Sequence, residues 1–197
     1  MKRLFIPILL FFLVYACHSK QQETTAGNSG HADTAKKNYL PVADLLKSEI
    51  AAVDSLPLRL MRYTIVNGKT DSNIITTPVF NQIAKQFLMG DLDSSQFEKK
   101  FEENSFVDRS TNLVSFTYST KDTGNGLKRV DVLLSPGAGS DKLNSIYMEA
   151  ISVNEDSSVI SKMSWKAGRN FRILRIKKPK NGQEITNQTI VVWDSRD

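Results

Sequence analysis

The chain has 197 residues and 22.1 kDa, with 40% hydrophobic and 24% charged side chains and a net charge of +5 at pH 7. This composition excludes collagen-like and low-complexity chains and suits one globular domain of about 150 residues. Two of the five surplus charges sit at Lys2 and Arg3, so the balance is too weak for a nucleic-acid binder.

Lys2 and Arg3 open an uncharged run over residues 4–15. As a helix it would span about 18 Å, short of the roughly 30 Å of a hydrocarbon core, and Pro7 interrupts it. A positive start and a short apolar stretch describe an export signal. The run ends in Val14-Tyr15-Ala16-Cys17, which resembles the lipobox of bacterial lipoprotein signal peptides: an aliphatic residue at −3, a small one at −1 and Cys at +1. Tyr15 departs from the small residue usual at −2. The resemblance implies a leader over residues 1–16, cleavage before Cys17, and lipidation of its thiol and new amino group. It places the protein in the bacterial cell envelope, lipid-anchored to a membrane. His18, standing where an Asp would signal inner-membrane retention, implies the outer membrane. Acyl chains hold a protein at a bilayer with about 0.8 kcal/mol per buried CH₂.

Residues 18–38 contain no Val, Ile, Leu, Phe, Met, Trp or Tyr. Nothing there can bury enough surface to offset ordering, so residues 17–38 are expected to be a lipidated Cys and a flexible tether. Its reach is roughly 25 Å. His18 and His31 lie in it as solvated residues.

A single α+β domain is expected over residues 39–197. Val42, Leu46, Ile50 and Val53 share one helical face that stops before Pro57. Residues 58–66 and 69–76 flank Asn67-Gly68, a hairpin signal. Thr77-Pro78 should start a second helix, with Phe80, Ile83, Ala84, Phe87 and Leu88 on one face until Gly90. Asp93 should cap a third, in which Phe97 and Phe101 lie one turn apart. Beyond it, six apolar alternations predict strands near residues 114–118, 130–134, 146–150, 159–165, 171–176 and 189–193. Their short connections leave no room for crossover helices. The expected architecture is a curved antiparallel β-meander with the N-terminal helices packed on one face. Phe80, Phe87, Phe97, Phe101, Phe116, Tyr118, Tyr147, Trp165 and Trp193 are the expected aromatic core.

Residues 39–197 contain neither Cys nor His, which removes thiol nucleophiles, Ser-His-Asp arrangements, imidazole acid–base work and common zinc sites. Asp91, Asp93, Ser95 and Glu102 match four positions of a calcium loop, but Gln96 replaces its turn glycine and Glu98 its aliphatic residue. Residues 135–140 are glycine-rich yet lack the Lys-Ser/Thr ending of a phosphate loop and precede a strand. No catalytic residue, metal or cofactor is therefore assigned.

Charge is concentrated late. Residues 157–180 carry Lys162, Lys166, Arg169, Arg172, Arg175, Lys177, Lys178 and Lys180 without one Asp or Glu. This basic hairpin is either a solvated surface that guards a sheet edge or a surface for anionic lipid, an envelope protein or a glycan. The expected function is a membrane-anchored extracytoplasmic lipoprotein acting as a non-catalytic binding module. The alternative is a carrier of a lipid or small hydrophobic ligand in a sheet–helix cavity.

Overall fold

The computed structural model describes residues 39–92, 94–138 and 141–193. The leader, Cys17, the tether with His18 and His31, and Asp93 lie outside the described residues. Helix α1 (Val42–Asp54) buries Val42, Leu46 and Val53 along the expected face, and Ile50 packs partly against them. Its end is tied by the Ser55 N–H to the Ala51 carbonyl, and Pro57 prevents a further turn. Strands β1 (Leu60–Val66) and β2 (Lys69–Ile75) flank a two-residue turn in which Asn67 and Gly68 take φ of 47° and 82°. Both lie in the left-handed region that a type I′ hairpin requires.

Helix α2 (Thr77–Ala84) starts one residue earlier than expected: Thr76 is the N-cap, without a side-chain cap bond, and Pro78 sits in the first turn. The helix tightens after Ala84 into a 3-10 turn (Lys85–Phe87) that still buries Phe87 fully. A second 3-10 turn (Gly90–Leu92) leads to α3 (Ser94–Lys100). The Phe97 ring stacks on Phe101 with centroids 4.6 Å apart.

Seven further strands follow: β3 (Glu102–Asp108), β4 (Leu113–Ser119), β5 (Gly126–Ser135), β6 (Lys142–Val153), β7 (Ser157–Lys166), β8 (Asn170–Pro179) and β9 (Ile185–Val192). All neighbours pair antiparallel, in the order β2-β1-β9-β8-β7-β6-β5-β4-β3. The described residues are thus mostly β, a nine-stranded open antiparallel sheet with few helices, where a six-stranded meander was expected. Two additions make the difference. The β1–β2 hairpin joins the sheet by pairing β1 with β9, and β3 adds an edge that its sequence hides.

Register divides the sheet into two faces. One carries cross-strand rows such as Tyr118–Val130–Met148–Met163–Ile173 and Phe116–Val132–Ile146–Trp165–Phe171–Val191, nearly all of them buried. Phe80 and Phe87 lie against Trp165 and Phe171 at 5.3–6.3 Å between centroids. Tyr39 and Phe97 lie against Tyr118 at 5.5 and 4.9 Å. Three polar ties lock this packing. The Leu40 N–H donates to the Tyr118 hydroxyl (3.2 Å), and the Tyr39 hydroxyl donates to the Phe101 carbonyl (2.9 Å). Glu49 of α1 accepts both the Trp165 indole N–H (3.2 Å) and the Gly168 N–H (3.1 Å). A buried indole donor needs such a partner.

Tyr147 departs from the expected core. Its position alternates with Ile146 and Met148, so it points to the opposite face and donates its hydroxyl to Glu149 (3.0 Å). Phe116 is half-buried at the core's margin.

Candidate binding surfaces

The eight cations of residues 157–180 lie on β7, β8 and the turns that flank β8. These two strands are the fourth and fifth of nine from the β2 end, far from either edge, so the cations guard no sheet edge. Strand alternation also separates them. Lys162, Lys166, Arg172 and Lys178 fall on the exposed face, while Arg175 and Lys177 fall on the buried one. Arg169 lies in the turn between β7 and β8, and Lys180 follows β8, its N–H bonded to the Asp156 carbonyl.

On the exposed face Lys162, Arg172 and Lys178 border a strip of half-buried aliphatic residues, and Lys166 lies farther along β7. Ile151, Ile160 and Ile176 form one cross-strand row, with Leu174 beside Lys162 and Ile190 beside Arg172. Acidic groups are near but do not cancel the charge. Glu149 stands opposite Lys162 in register but accepts from Tyr147. Glu184 is 3.5 Å from Lys178, while Arg129 is paired with Asp131 at 2.8 Å. Among the described residues, Lys162, Lys166 and Arg172 form no ion pair.

The buried face has a polar corner that sequence reasoning missed. Beyond the row of Trp165, Phe171 and Val191, the same face of β1, β8 and β9 presents Arg62, Thr64, Arg175, Asn187 and Thr189. With Ile83, Gln86 and Ile173 they line a groove of about 260 Å³. The Arg62 guanidinium donates through Nε to the Asn73 Oδ1 (3.1 Å), and Arg175 donates to the Gln86 Oε1. Residues 60–66 carry no regular apolar–polar alternation that could have signalled it: Arg62 and Thr64 take inward positions, while Met61, Tyr63 and Ile65 point to the other face.

The other sequence leads resolve as structure. Asp91 accepts from Lys100 (2.9 Å) and from the Leu127 N–H (3.2 Å). The Lys100 bond leads in holding its carboxyl below the ordinary range, against a smaller desolvation effect. Glu102 lies in β3 with Lys121 at 2.7 Å. Asp91 and Glu102 are therefore both held by lysines, and no group of three metal-ligating side chains occurs among the described residues. Of the glycine-rich residues 135–140, Ser135 ends β5 and residues 136–138 follow it outside any strand, while Gly139 and Ser140 lie outside the described residues. Asp108 shapes the β3–β4 turn by accepting from the Ser110 and Thr111 hydroxyls and N–H groups, which lower its pKa to about 2. No known protein family, no curated protein and no solved structure matches the chain.

Proposed function

We propose that the protein is a lipid-anchored, extracytoplasmic binding module that performs no catalysis and meets its partner through the exposed face of the sheet. In this reading Cys17 carries the acyl anchor at the outer membrane, and residues 18–38 lift the domain from the bilayer. The helices cover the buried face, a placement supported by the contacts of Phe80, Phe87, Phe97 and Glu49 with Trp165, Phe171 and Tyr118. The opposite face is left for a partner.

The observation that carries the proposal is the placement of Lys162 and Lys178 on either side of the Ile151–Ile160–Ile176 row, with Arg172 and Lys166 farther along the same face. A surface on which an aliphatic row is flanked by cations suits anionic lipid headgroups, or an acidic envelope protein or glycan, better than it suits solvent. Charge reversal at Lys162, Arg172 and Lys178 together should reduce sedimentation with phosphatidylglycerol vesicles at least fivefold; an unchanged fraction would refute the lipid partner. Cys17→Ser should abolish acyl mass and membrane fractionation, which tests the anchor separately.

A second reading, a small hydrophobic ligand held between helix and sheet, is supported by a cleft of about 340 Å³ lined mainly by Ala52, Val53, Leu56, Leu58 and Trp193, with Glu49 and Gly168 at its side. Leu56 is 55% exposed there. Native mass spectrometry of the purified chain should then show a retained ligand, and a clean apo mass would remove this reading.

A further inference from the structure

We infer that the polar groove over β1, β9 and β8 is a binding site for a small oxyanion, a carboxylate or phosphate carried on a polar body. This site is distinct from the exposed-face surface and does not depend on the anchor.

Four observations lead there. First, Arg62 and Arg175 both line the groove and are held only by neutral acceptors, Asn73 and Gln86. Among the described residues neither forms an ion pair. Arg129 shows the alternative in the same sheet, with its charge matched by Asp131. A guanidinium offers five donors, and one neutral bond each leaves most of the fork and all of the charge available for bidentate recognition. Asp71 faces the same way beside Thr64 and pairs with neither arginine.

Second, Thr64, Thr189 and Asn187 present side chains without a hydrogen-bond partner among the described residues, on the floor between the two arginines. Third, these polar residues occupy inward-facing positions, where the central strands β5 to β8 bear mostly apolar residues such as Val130, Met148, Met163 and Ile173. Replacing apolar residues at such positions forgoes burial worth about 1.5–3 kcal/mol each when complete, a concession commonly made for function. Fourth, the groove is bounded. Ile83 and Gln86, from α2 and its 3-10 turn, form a flank above the strands, so it is a notch and not a flat bilayer-facing surface. Its volume falls just under the roughly 300–1,000 Å³ of sites for drug-sized ligands. That suits a single acidic sugar or a phosphorylated polyol, with Ile83 and Ile173 meeting its carbon skeleton.

The test is calorimetric titration of the full chain in neutral detergent with glucuronate and with glycerol 3-phosphate, using glucose and glycerol as uncharged counterparts. Saturable binding of one acid, without binding of its counterpart, is expected, and which acid binds assigns carboxylate or phosphate. Arg62→Gln and Arg175→Gln should each weaken it at least tenfold and Thr189→Val several-fold, with melting temperatures unchanged. Lys166→Gln, on the opposite face, should leave it within twofold. The inference is overturned if neither acid binds saturably, if binding survives both arginine substitutions, or if Lys166→Gln weakens it equally. Binding to phosphatidylglycerol vesicles without binding to either soluble acid would also overturn it, assigning the charge to a surface. Arg175→Gln should not disturb vesicle sedimentation through Lys162, Arg172 and Lys178, so failure here and failure of the exposed-face reading can be told apart.

Discussion

The buried face of the sheet has two regions built from the same strands that end in opposite chemistry. Around Trp165, Phe171 and Val191 it is a close assembly of rings, with Trp165 and Phe171 stacked at 5.2 Å and fully buried. A few residues along β8 and β9, Arg175, Asn187 and Thr189 point the same way into an open groove. Strand geometry is common to both, so the difference lies in cover. Where Phe80 and Phe87 supply it, apolar side chains lose water on both sides, and where cover ends at Ile83 and Gln86 the inward positions become polar. Packing sets one region, and the other is available for recognition.

The comparison is broken most severely at Trp165. Its ring contacts Phe80, Phe87, Phe171 and Trp193, and its N–H bonds to Glu49. Trp165→Ala should cost about 3–5 kcal/mol through the cavity it leaves, with a further effect from Glu49 losing its indole partner. Urea unfolding followed by circular dichroism measures this, and a loss under 1.5 kcal/mol would mean the ring assembly does not organise the core.

Tyr118 comes next. Burial pushes its phenol well above the ordinary range, so it stays neutral and accepts the Leu40 N–H as a hydroxyl. Tyr118→Phe keeps the ring contacts with Tyr39 and Phe97 and strands that N–H, at a cost of about 1–2 kcal/mol. Because the bond ties residue 40 to β4, hydrogen exchange at the start of α1 should accelerate as stability falls.

How much of this was legible in the sequence depends on whether a residue's environment was set by its neighbours in the chain. The helix face of Val42, Leu46 and Val53 and the turn at Asn67-Gly68 follow from local spacing and local φ, and both were readable. The alternation of β5 and β6 was equally plain because one face of each is buried. Strand β3 was not readable. It buries none of its positions, and Phe106 and Val107 are 65% and 56% exposed, so the period-two signal that marks a half-buried strand never arises. Only pairing with β4 makes it a strand. The basic run was visible as composition, but its meaning was not: alternation across β7 and β8 divides one cluster into two surfaces, and pairing of β8 with β9 and β9 with β1 brings Arg175 to the groove of Arg62. That residues 62 and 175 line one groove depends on strand order, which no local pattern encodes.

A smaller effect, and one dependent on pH, should appear at Asp91, which ties the Gly90–Leu92 turn to α3 and β5. Its carboxyl is held below the ordinary value near 3.8 chiefly by Lys100. A lowered folded pKa gives stability that is complete above the unfolded value and is lost as pH falls through 3.8 toward the folded one. Asp91→Asn should cost about 1 kcal/mol at pH 7. The difference from the parent should narrow below pH 4 in thermal melts, and a pH-independent gap would show that the bond to Leu127, and not the charge, carries the effect.

The smallest expected change in stability is at the polar end of the comparison. Thr189 sits on β9 between Ile173 and Thr64, half-buried, and its hydroxyl has no hydrogen-bond partner among the described residues. If inward polarity there served stability, Thr189→Val would cost roughly what a lost hydrogen bond costs, about 1 kcal/mol. If it serves recognition, the added methyl gains a little burial against Ile173, β-branching keeps the strand preference, and the variant should equal or exceed the parent by up to about 0.5 kcal/mol. Urea midpoints at unchanged m separate these outcomes. A loss near 1 kcal/mol would make the groove part of the core's own support, and the contrast between the two regions would become one of degree.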